Sequence, residues 1–211
     1  KMEEVTYDEM LEMASLGAKV LHSRCVEIAK KYGVELLVCS SLNRNSGTIV
    51  RENTKMEKML ISGVAADKNV AKIRVAGLGN DPDSTFKLLN LLDKNNLNID
   101  VMIQSLGKDG TKSVSFTVAK TDLNRTLEVL SANKGQLGIQ KLDSDEKVAK
   151  VSVIGAGIRS HSGVAAKMFG ALANAGINTE MVTTSEIRIT ALINEDYTDL
   201  AMRAIHETFL E

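Results

Sequence analysis

The chain has 211 residues, of which 44% are hydrophobic, with no tryptophan, one proline and a formal net charge of -1. That length allows one large domain or two small ones, and the balanced charge excludes nucleic acids and membrane surfaces as expected partners. No apolar stretch approaches the roughly 20 residues of a transmembrane helix, the N-terminus does not resemble a signal peptide, and two isolated cysteines, Cys25 and Cys39, favour a cytoplasmic location.

Residues 1–50 are predicted to form a short α/β module. The predicted elements are two helices separated at Gly17 and two strands, over residues 7–14, 18–32, 35–39 and 48–50. A piece this short cannot enclose a hydrophobic core by itself. We therefore expect it to be the end of a larger domain.

An internal duplication organises the rest of the chain. Residues 70–79 (VAKIRVAGLG) return as residues 148–157 (VAKVSVIGAG), 78 positions later, and beyond a loop the offset becomes 80. The matched residues there are Lys87, Leu92, Asn98 and Ser105 with Lys167, Leu172, Asn178 and Ser185. Because the identities fall at element ends and on apolar faces, we treat the repeat as real.

Each copy is predicted to run strand, helix, strand, strand, helix. The strands are expected over residues 73–76, 100–105 and 113–118 in the first copy, and over residues 151–154, 180–184 and 187–193 in the second. The first copy has a fourth strand, residues 138–142, which completes a ferredoxin-like unit. The second copy lacks a fourth strand, whereas an unpartnered strand over residues 59–65 lies upstream of the first copy. We expect that upstream strand to complete the sheet of the second copy, since open sheet edges are costly.

The predicted fold class is therefore α+β, with two ferredoxin-like βαββαβ domains, the first inserted within the second, preceded by the short α/β module. The predicted boundaries are 1–54 for the module, 70–144 for the first domain, and 55–69 plus 145–211 for the second.

Common catalytic motifs are absent from the sequence. The two Gly-x-Gly pairs do not fit a dinucleotide fingerprint, because Pro82 and Ser160 occupy the third glycine position. There is no Walker lysine and no Gly-x-Ser-x-Gly motif, and the three histidines lack partners at metal-binding spacing. We expect no complete catalytic site and no metal in this chain.

A polar loop after the first strand of each copy is the candidate binding feature. The loops, residues 80–84 and 158–163, lead into helix N-termini, where unpaired N–H groups and the helix dipole favour a carboxylate. Ser84 and Ser162 are also suitable N-caps, so a purely structural role is an alternative.

A second polar feature recurs at the start of the second strand, as Asn98-x-Asp100 and Asn178-x-Glu180. We expect each pair to lie beside its loop, where the acid would bind the ammonium group of an amino acid whose carboxylate meets the helix. Turn formation at the helix exit is the alternative. Recurrence in both copies favours a ligand.

These features resemble a known family. Residues 73–142 and 151–209 are similar to paired ACT domains, and residues 178–193 (NTEMVTTSEIRITALI), after the Ser-His-Ser-Gly-Val of residues 160–164, resemble the regulatory end of aspartokinase. Residues 7–22 (YDEMLEMASLGAKVLH) are similar to the last part of that family's amino-acid-kinase domain, and residues 40–48 resemble its close.

The resemblance implies a function. Aspartokinase uses ATP and Mg to phosphorylate the side chain of aspartate, which opens lysine, threonine and methionine biosynthesis, and its ACT pair binds end products that inhibit the kinase. This chain would be a regulatory fragment or regulatory subunit that binds lysine and/or threonine, as a homodimer or with a catalytic subunit. Lacking most kinase motifs, it would be inactive alone and hold no cofactor. An oligomerisation module without a ligand is the alternative.

The resemblance also implies site residues. The family's effector contacts map onto Asn80, Asp81, Pro82, Asp83, Ser84, Thr85, Asn98, Asp100 and Gln104 in the first copy, and onto Ser160, His161, Ser162, Gly163, Val164, Ala165, Asn178, Thr179 and Glu180 in the second. Lys19 resembles a lysine that contacts nucleotide. Asp83 replaces the family's usual glycine, and its charge disfavours a carboxylate at this loop or favours a cationic effector.

Overall fold

A computed structural model describes residues 2–42, 46–54, 60–107 and 109–210. The chain forms two compact units, Lys1–Lys68 with Lys150–Glu211, and Asn69–Ala149. In the described part of the chain, no helix has both the length and the apolar character that crossing a membrane requires.

The N-terminal module is a three-stranded sheet with two helices. Its elements are β1 (Glu4–Thr6), α1 (Tyr7–Ser15), α2 (Ser23–Tyr32), β2 (Leu36–Val38) and β3 (Thr48–Arg51). The central strand β3 is parallel to β1 and antiparallel to β2. The sequence did not predict β1, because three residues are too few to show a period. Helix α2 begins at Ser23 rather than at residue 18, since His22 caps it and Nδ1 of His22 accepts a hydrogen bond from the Arg24 amide.

The module does not enclose a separate core. Its buried residues include Val5, Tyr7 and Val26, and they form one hydrophobic cluster with Ala65 and Ile154 from later in the chain. The module therefore shares one hydrophobic core with later strands of the same compact unit, as its short length predicts.

The remaining elements follow the predicted repeat. They are β4 (Gly63–Asp67), β5 (Ala71–Leu78), α3 (Ser84–Lys94), β6 (Met102–Leu106), β7 (Lys112–Val118), α4 (Leu123–Ala132), α5 (Lys134–Leu137), β8 (Lys141–Asp145), β9 (Val148–Ile154), α6 (Val164–Asn174), β10 (Thr179–Thr184), β11 (Arg188–Asn194) and α7 (Thr198–Leu210).

Each copy forms a four-stranded ferredoxin-like sheet. The strand order is β6-β7-β5-β8 in the first copy and β10-β11-β9-β4 in the second. Strand β4 is antiparallel to β9, with Ala65 opposite Ser152. The strand upstream of the first copy thus completes the second sheet, so the first unit is inserted within the second. The strand begins at Gly63 rather than at residue 59, which lies outside the described residues.

The two sheets are covered differently. In β5 the burial alternates, and Arg74 is exposed between the fully buried Ile73 and Val75. In β9 all seven residues are buried, because helices cover one face while Ile154 joins the core of the N-terminal module. Polar residues on β9 are paired: Lys150 lies 3.3 Å from Asp67.

Candidate functional site

The first candidate loop joins β5 to α3. Helix α3 begins at Ser84 itself, which is buried, and the preceding Asp83 makes no side-chain capping bond. The expectation that Ser84 is an N-cap is therefore wrong, because the helix starts one residue earlier than a serine cap would require. The Ser84 amide instead donates to the Asp81 carbonyl at 3.2 Å.

The two aspartates of this loop are held by lysines. Lys87 Nζ lies 2.7 Å from Asp83 Oδ2, four residues back on the helix, and Lys112 Nζ donates to the Asp81 carbonyl at 2.9 Å. The Lys87 ammonium lowers the pKa of Asp83, and Asp83 raises the pKa of Lys87. Asp83 is thus ionised and already paired where the helix begins.

Two other candidate residues of this copy meet directly. Thr85 Oγ1, in the first turn of α3, donates to Gln104 Oε1 on β6 at 2.6 Å. This bond joins the start of α3 to β6 at the end of the sheet where the loop lies.

Asn98 and Asp100 lie at the other end of this sheet. The Asp100 amide donates to the Thr117 carbonyl at 3.1 Å, and Thr117 faces Lys72 near the start of β5, whereas the loop follows the end of β5. From Lys72 to Leu78, where β5 ends, the strand rises about 3.3 Å per residue, so the level of Asp100 and the start of the loop are separated by roughly 20 Å. The expectation that the pair lies beside the loop of its own copy is wrong, because α3 carries the chain back before β6 starts.

The second candidate loop joins β9 to α6 by way of a 3-10 turn over Ala156–Ile158. Helix α6 begins at Val164, and its N-cap is Gly163, with φ +97 and no side-chain capping bond. Ser162 is therefore not the N-cap, contrary to expectation. A left-handed φ suits glycine, and the four first-turn amides have no partner within a helix.

The second loop carries basic rather than acidic groups. From residue 156 to residue 167 the sequence contains no aspartate or glutamate, but it contains Arg159 and His161. Arg159 forms an exposed ion pair with Glu186 at 3.1 Å. The His161 amide donates to the Gly157 carbonyl at 3.0 Å, and His161 Nδ1 lies 3.0 Å from Ser160 Oγ. Ala165 is half-buried in the first turn of the helix.

The Asn178–Glu180 segment also lies far from the loop of its copy. Thr179 faces Ile193 on β11, while the Gly155 amide, where the loop starts, bonds the Ile187 carbonyl before the other end of β11. Both copies thus separate the two candidate features in the same way. Asn178, Thr179 and Glu180 are all exposed.

Lys19 lies in the turn after α1 and is exposed. This turn packs closely on the second sheet at Gly17, whose φ is +102 and where a Cβ would stand 2.2 Å from the Ala66 carbonyl oxygen. A side chain at Gly17 would displace the turn that carries Lys19.

One buried acid, Glu9, was missed by the sequence prediction. Its carboxylate accepts hydrogen bonds from Thr6, from Ser62 Oγ at 2.5 Å and from the Ala156 amide at 3.1 Å. Burial alone would raise the pKa of Glu9, but these bonds outweigh burial and hold the pKa below 4.5. The only available signal was the capping pattern Thr6-x-x-Glu9, which predicts a helix start and not the link to Ala156.

Among the described residues, no group of three or more His, Cys, Asp and Glu side chains could hold a metal ion. The chemistry that the loops offer is therefore hydrogen bonding and charge: a lysine-paired acidic loop in one copy, and a basic loop with an uncapped helix start in the other.

Comparisons with known proteins agree with this architecture. Residues 151–209 match the family model described as ACT domain. The chain is 41% identical to an aspartate kinase of Stutzerimonas stutzeri over 99% of its own length and 51% of that protein. It thus spans about half the length of the curated relatives it matches.

Two solved structures are also similar to this chain. The regulatory subunit of aspartate kinase from Thermus thermophilus is 34% identical with a TM-score of 0.67, and the match covers 71% of this chain and 99% of that one. Escherichia coli aspartokinase III in complex with lysine and aspartate is 23% identical with a TM-score of 0.77. The match covers 100% of this chain and 47% of that one, and at this identity it shows a similar fold.

Proposed function

The chain belongs to the aspartokinase family, and from this premise we propose that it binds lysine and/or threonine and thereby inhibits an aspartate-phosphorylating kinase. The observation that carries the proposal is the match to almost the whole of a chain described as a regulatory subunit of aspartate kinase. The lysine bound to E. coli aspartokinase III, which shares the fold, supports an amino acid as the effector.

The kinase reaction itself belongs to the remainder of the enzyme. We propose that ATP and Mg bind there, that the chain acts as a homodimer or with a catalytic aspartokinase subunit, and that Lys19 is the remnant of a nucleotide contact. Its exposure at the surface of the turn after α1 is compatible with that role. The proposed domains are 1–54, 70–144, and 55–69 plus 145–211.

The proposed effector contacts separate into two sets. Within one copy, the loop and the Asn-x-acid pair are too far apart for one free amino acid to touch both. We propose that the loop residues and the strand-start residues serve different contacts. Thr85 and Gln104 belong to the first set, because they are already bonded to one another beside the loop.

Charge distinguishes what the two loops would accept. The second loop combines Arg159 and His161 with the uncapped start of α6, which suits the α-carboxylate of an amino acid. The first loop places Asp83 at the start of α3 and pairs it with Lys87, which opposes a carboxylate and suits an ammonium group. Electrostatics therefore supports different ligand groups at the two loops.

An alternative function is pairing of subunits without a ligand. The edge strands β6 and β10 expose apolar side chains, with Leu106 64% and Val182 40% exposed, and exposed edges of this kind favour strand pairing between chains. Sedimentation velocity separates the two functions: an assembly that lysine and threonine leave unchanged, on a chain that binds neither, supports the alternative.

The effector role is tested by replacing Asp100. Asp100→Ala removes an exposed side chain, so we expect the fold to persist while the affinity for lysine or threonine falls about 10- to 100-fold, the effect of losing a charged hydrogen bond. Asp93→Ala, at an exposed acid on α3, is the matched control and should bind as the unaltered chain does. Equal affinity for all three proteins would remove Asp100 from the site.

A further inference from the structure

The two carboxylate oxygens of Glu9 accept hydrogen bonds from different parts of the molecule. Oε2 accepts from the Thr6 amide at 3.2 Å and from Thr6 Oγ1 at 2.8 Å, which completes the capping box of α1. Oε1 faces the other way and accepts from Ser62 Oγ at 2.5 Å and from the Ala156 amide at 3.1 Å. One side chain of the N-terminal module thus bonds the first residue of the 3-10 turn that opens the second candidate loop.

The equivalent backbone positions of the first copy are bonded within their own unit. The Ile154 carbonyl accepts from the Ser62 amide at 2.7 Å, and the Ala76 carbonyl, 78 positions earlier, accepts from the Gln140 amide at 3.0 Å. The counterpart of Ala156 is Leu78, which still pairs with Lys112 on β7. The first loop therefore leaves its sheet later and is held by its own unit.

In the second copy β9 ends at Ile154, two residues before Ala156, and the Ala156 amide donates to Glu9. Ala156 is half-buried, and an amide shielded from water needs an acceptor, which Glu9 supplies. Glu9 is itself 6% exposed, so its bonds lie in a part of the protein where an unpaired donor is costly.

Helix α1 continues from Glu9 to the turn that carries Lys19. That turn is fixed at Gly17, which contacts the backbone of Ala66 on β4. The helix is therefore held near its start by Ala156 and after its end by β4. A shift of the loop that moves Ala156 must either break the Glu9 bond or move the start of this helix.

We propose that Glu9 is a positioning residue that couples the second candidate loop to α1 and, along α1, to the turn of Lys19. This coupling rests on the proposed effector function, because it states how occupation of that loop reaches the kinase side of the chain. A ligand that draws the loop away from β9 weakens the bond to Glu9, and by reciprocity an altered Glu9 changes the affinity for the ligand.

Hydrogen exchange of the free 211-residue chain tests the structural half of the proposal. In Glu9→Ala the amides of residues 156–160 should exchange roughly tenfold faster, because one buried acceptor is lost. Glu9→Gln, which keeps an acceptor of the same shape, should give a smaller increase. Exchange in residues 189–193 of the same sheet should stay within about twofold in both variants, which shows that the fold is intact.

Two matched controls separate the loop bond from other roles of Glu9. Thr6→Ala removes the bond from Thr6 Oγ1 to Oε2 and leaves both the Thr6 amide bond to Oε2 and the Oε1 bonds. Asp8→Asn alters the neighbouring acid, which pairs with Lys30 at 2.6 Å. Neither should accelerate exchange at residues 156–160. Unchanged exchange in Glu9→Ala, or equal acceleration in Thr6→Ala, would overturn the proposal.

Titration of lysine and threonine into the same proteins tests the coupling. We expect Glu9→Ala to change the affinity at least about fivefold, at the lower end of typical coupling, Glu9→Gln to change it less, and Asp8→Asn to leave it unchanged. Faster exchange with unaltered affinity would show that Glu9 holds the loop without coupling it, and would overturn the proposal. Absence of binding by the unaltered chain would refute the proposed function and the coupling with it, while the exchange result still decides whether Glu9 holds the loop.

Discussion

The two ferredoxin-like copies share a sheet topology and differ in how their first loops are secured. In the first copy the loop is held by groups of its own unit, with Lys87 bonded to Asp83 and Lys112 to the Asp81 carbonyl. In the second copy the loop is basic, its helix start is uncapped, and its base is held by Glu9 of the N-terminal module. Duplication has kept the core pattern, whereas the loops have acquired different charges and different supports.

The difference has a functional meaning. The first loop is bonded to lysines of its own unit. The second loop is bonded to α1 through Glu9. Under the coupling proposed above, the second copy would be the one through which ligand binding reaches the kinase side.

We expect the largest effects on stability from substitutions in the equivalent hydrophobic cores of the two copies. Leu88 and Met168 are equivalent positions on α3 and α6, and both are 0% exposed. Truncation of either to alanine should lower the free energy of unfolding by about 2–5 kcal/mol, measured by urea denaturation. Phe86→Ala, at a side chain 66% exposed on α3, is the control and should stay within about 0.5 kcal/mol. If only one of the two substitutions lowers the free energy of unfolding by this amount, the two cores are not equivalent.

The support of the second loop should give the next largest effect. Glu9→Ala leaves the half-buried donors of Thr6, Ser62 and Ala156 without this acceptor and should cost about 1–3 kcal/mol of unfolding free energy near neutral pH. Because the pKa of Glu9 in the folded chain lies below its usual value of 4.5, its stabilisation is complete above that pH and is lost as the pH falls through the folded pKa.

Acid unfolding gives the matching test. The unaltered chain should lose more stability than Glu9→Gln when the pH is lowered from 7 to below 4.5, because glutamine does not titrate. Parallel loss in the two proteins would mean that Glu9 does not contribute in its ionised form.

The two helix starts should respond differently to substitution. Gly163 has φ +97, so Gly163→Ala should cost about 1–2 kcal/mol in backbone strain. Its counterpart Asp83 is in the right-handed region, so Asp83→Gly should cost less than Gly163→Ala, because it removes only an exposed i,i+4 ion pair and adds no strain. Thermal denaturation of both variants checks this order, and equal costs would contradict the difference between the two helix starts.

Most of the fold could be predicted from the sequence. The repeat supplied two independent samples of each strand and helix, and counting unpaired strands was enough to assign β4 to the second sheet. The short β1 could not be predicted, since parallel pairing with β3 is a contact between residues 4–6 and 49–51 that no local pattern shows.

The candidate site was less predictable. Ser84 and Ser162 were interpreted as N-caps from residue type, but the capping position depends on the backbone angles of each loop, which differ between copies. Asn98 and Asp100 were expected beside the first loop because the motif recurs after it, although the intervening helix reverses the chain direction. The bond from Ala156 to Glu9 spans 147 positions, so only the folded chain reveals it.

Calorimetric titration decides whether this chain binds amino acid effectors, as we propose. Lysine, threonine and an equimolar mixture should be titrated into the folded 211-residue chain near neutral pH. We expect saturable heat with at least one of the three, reduced in Asp100→Ala and retained in Asp93→Ala. No heat from any of them, on a sample shown to be folded by circular dichroism, would contradict it.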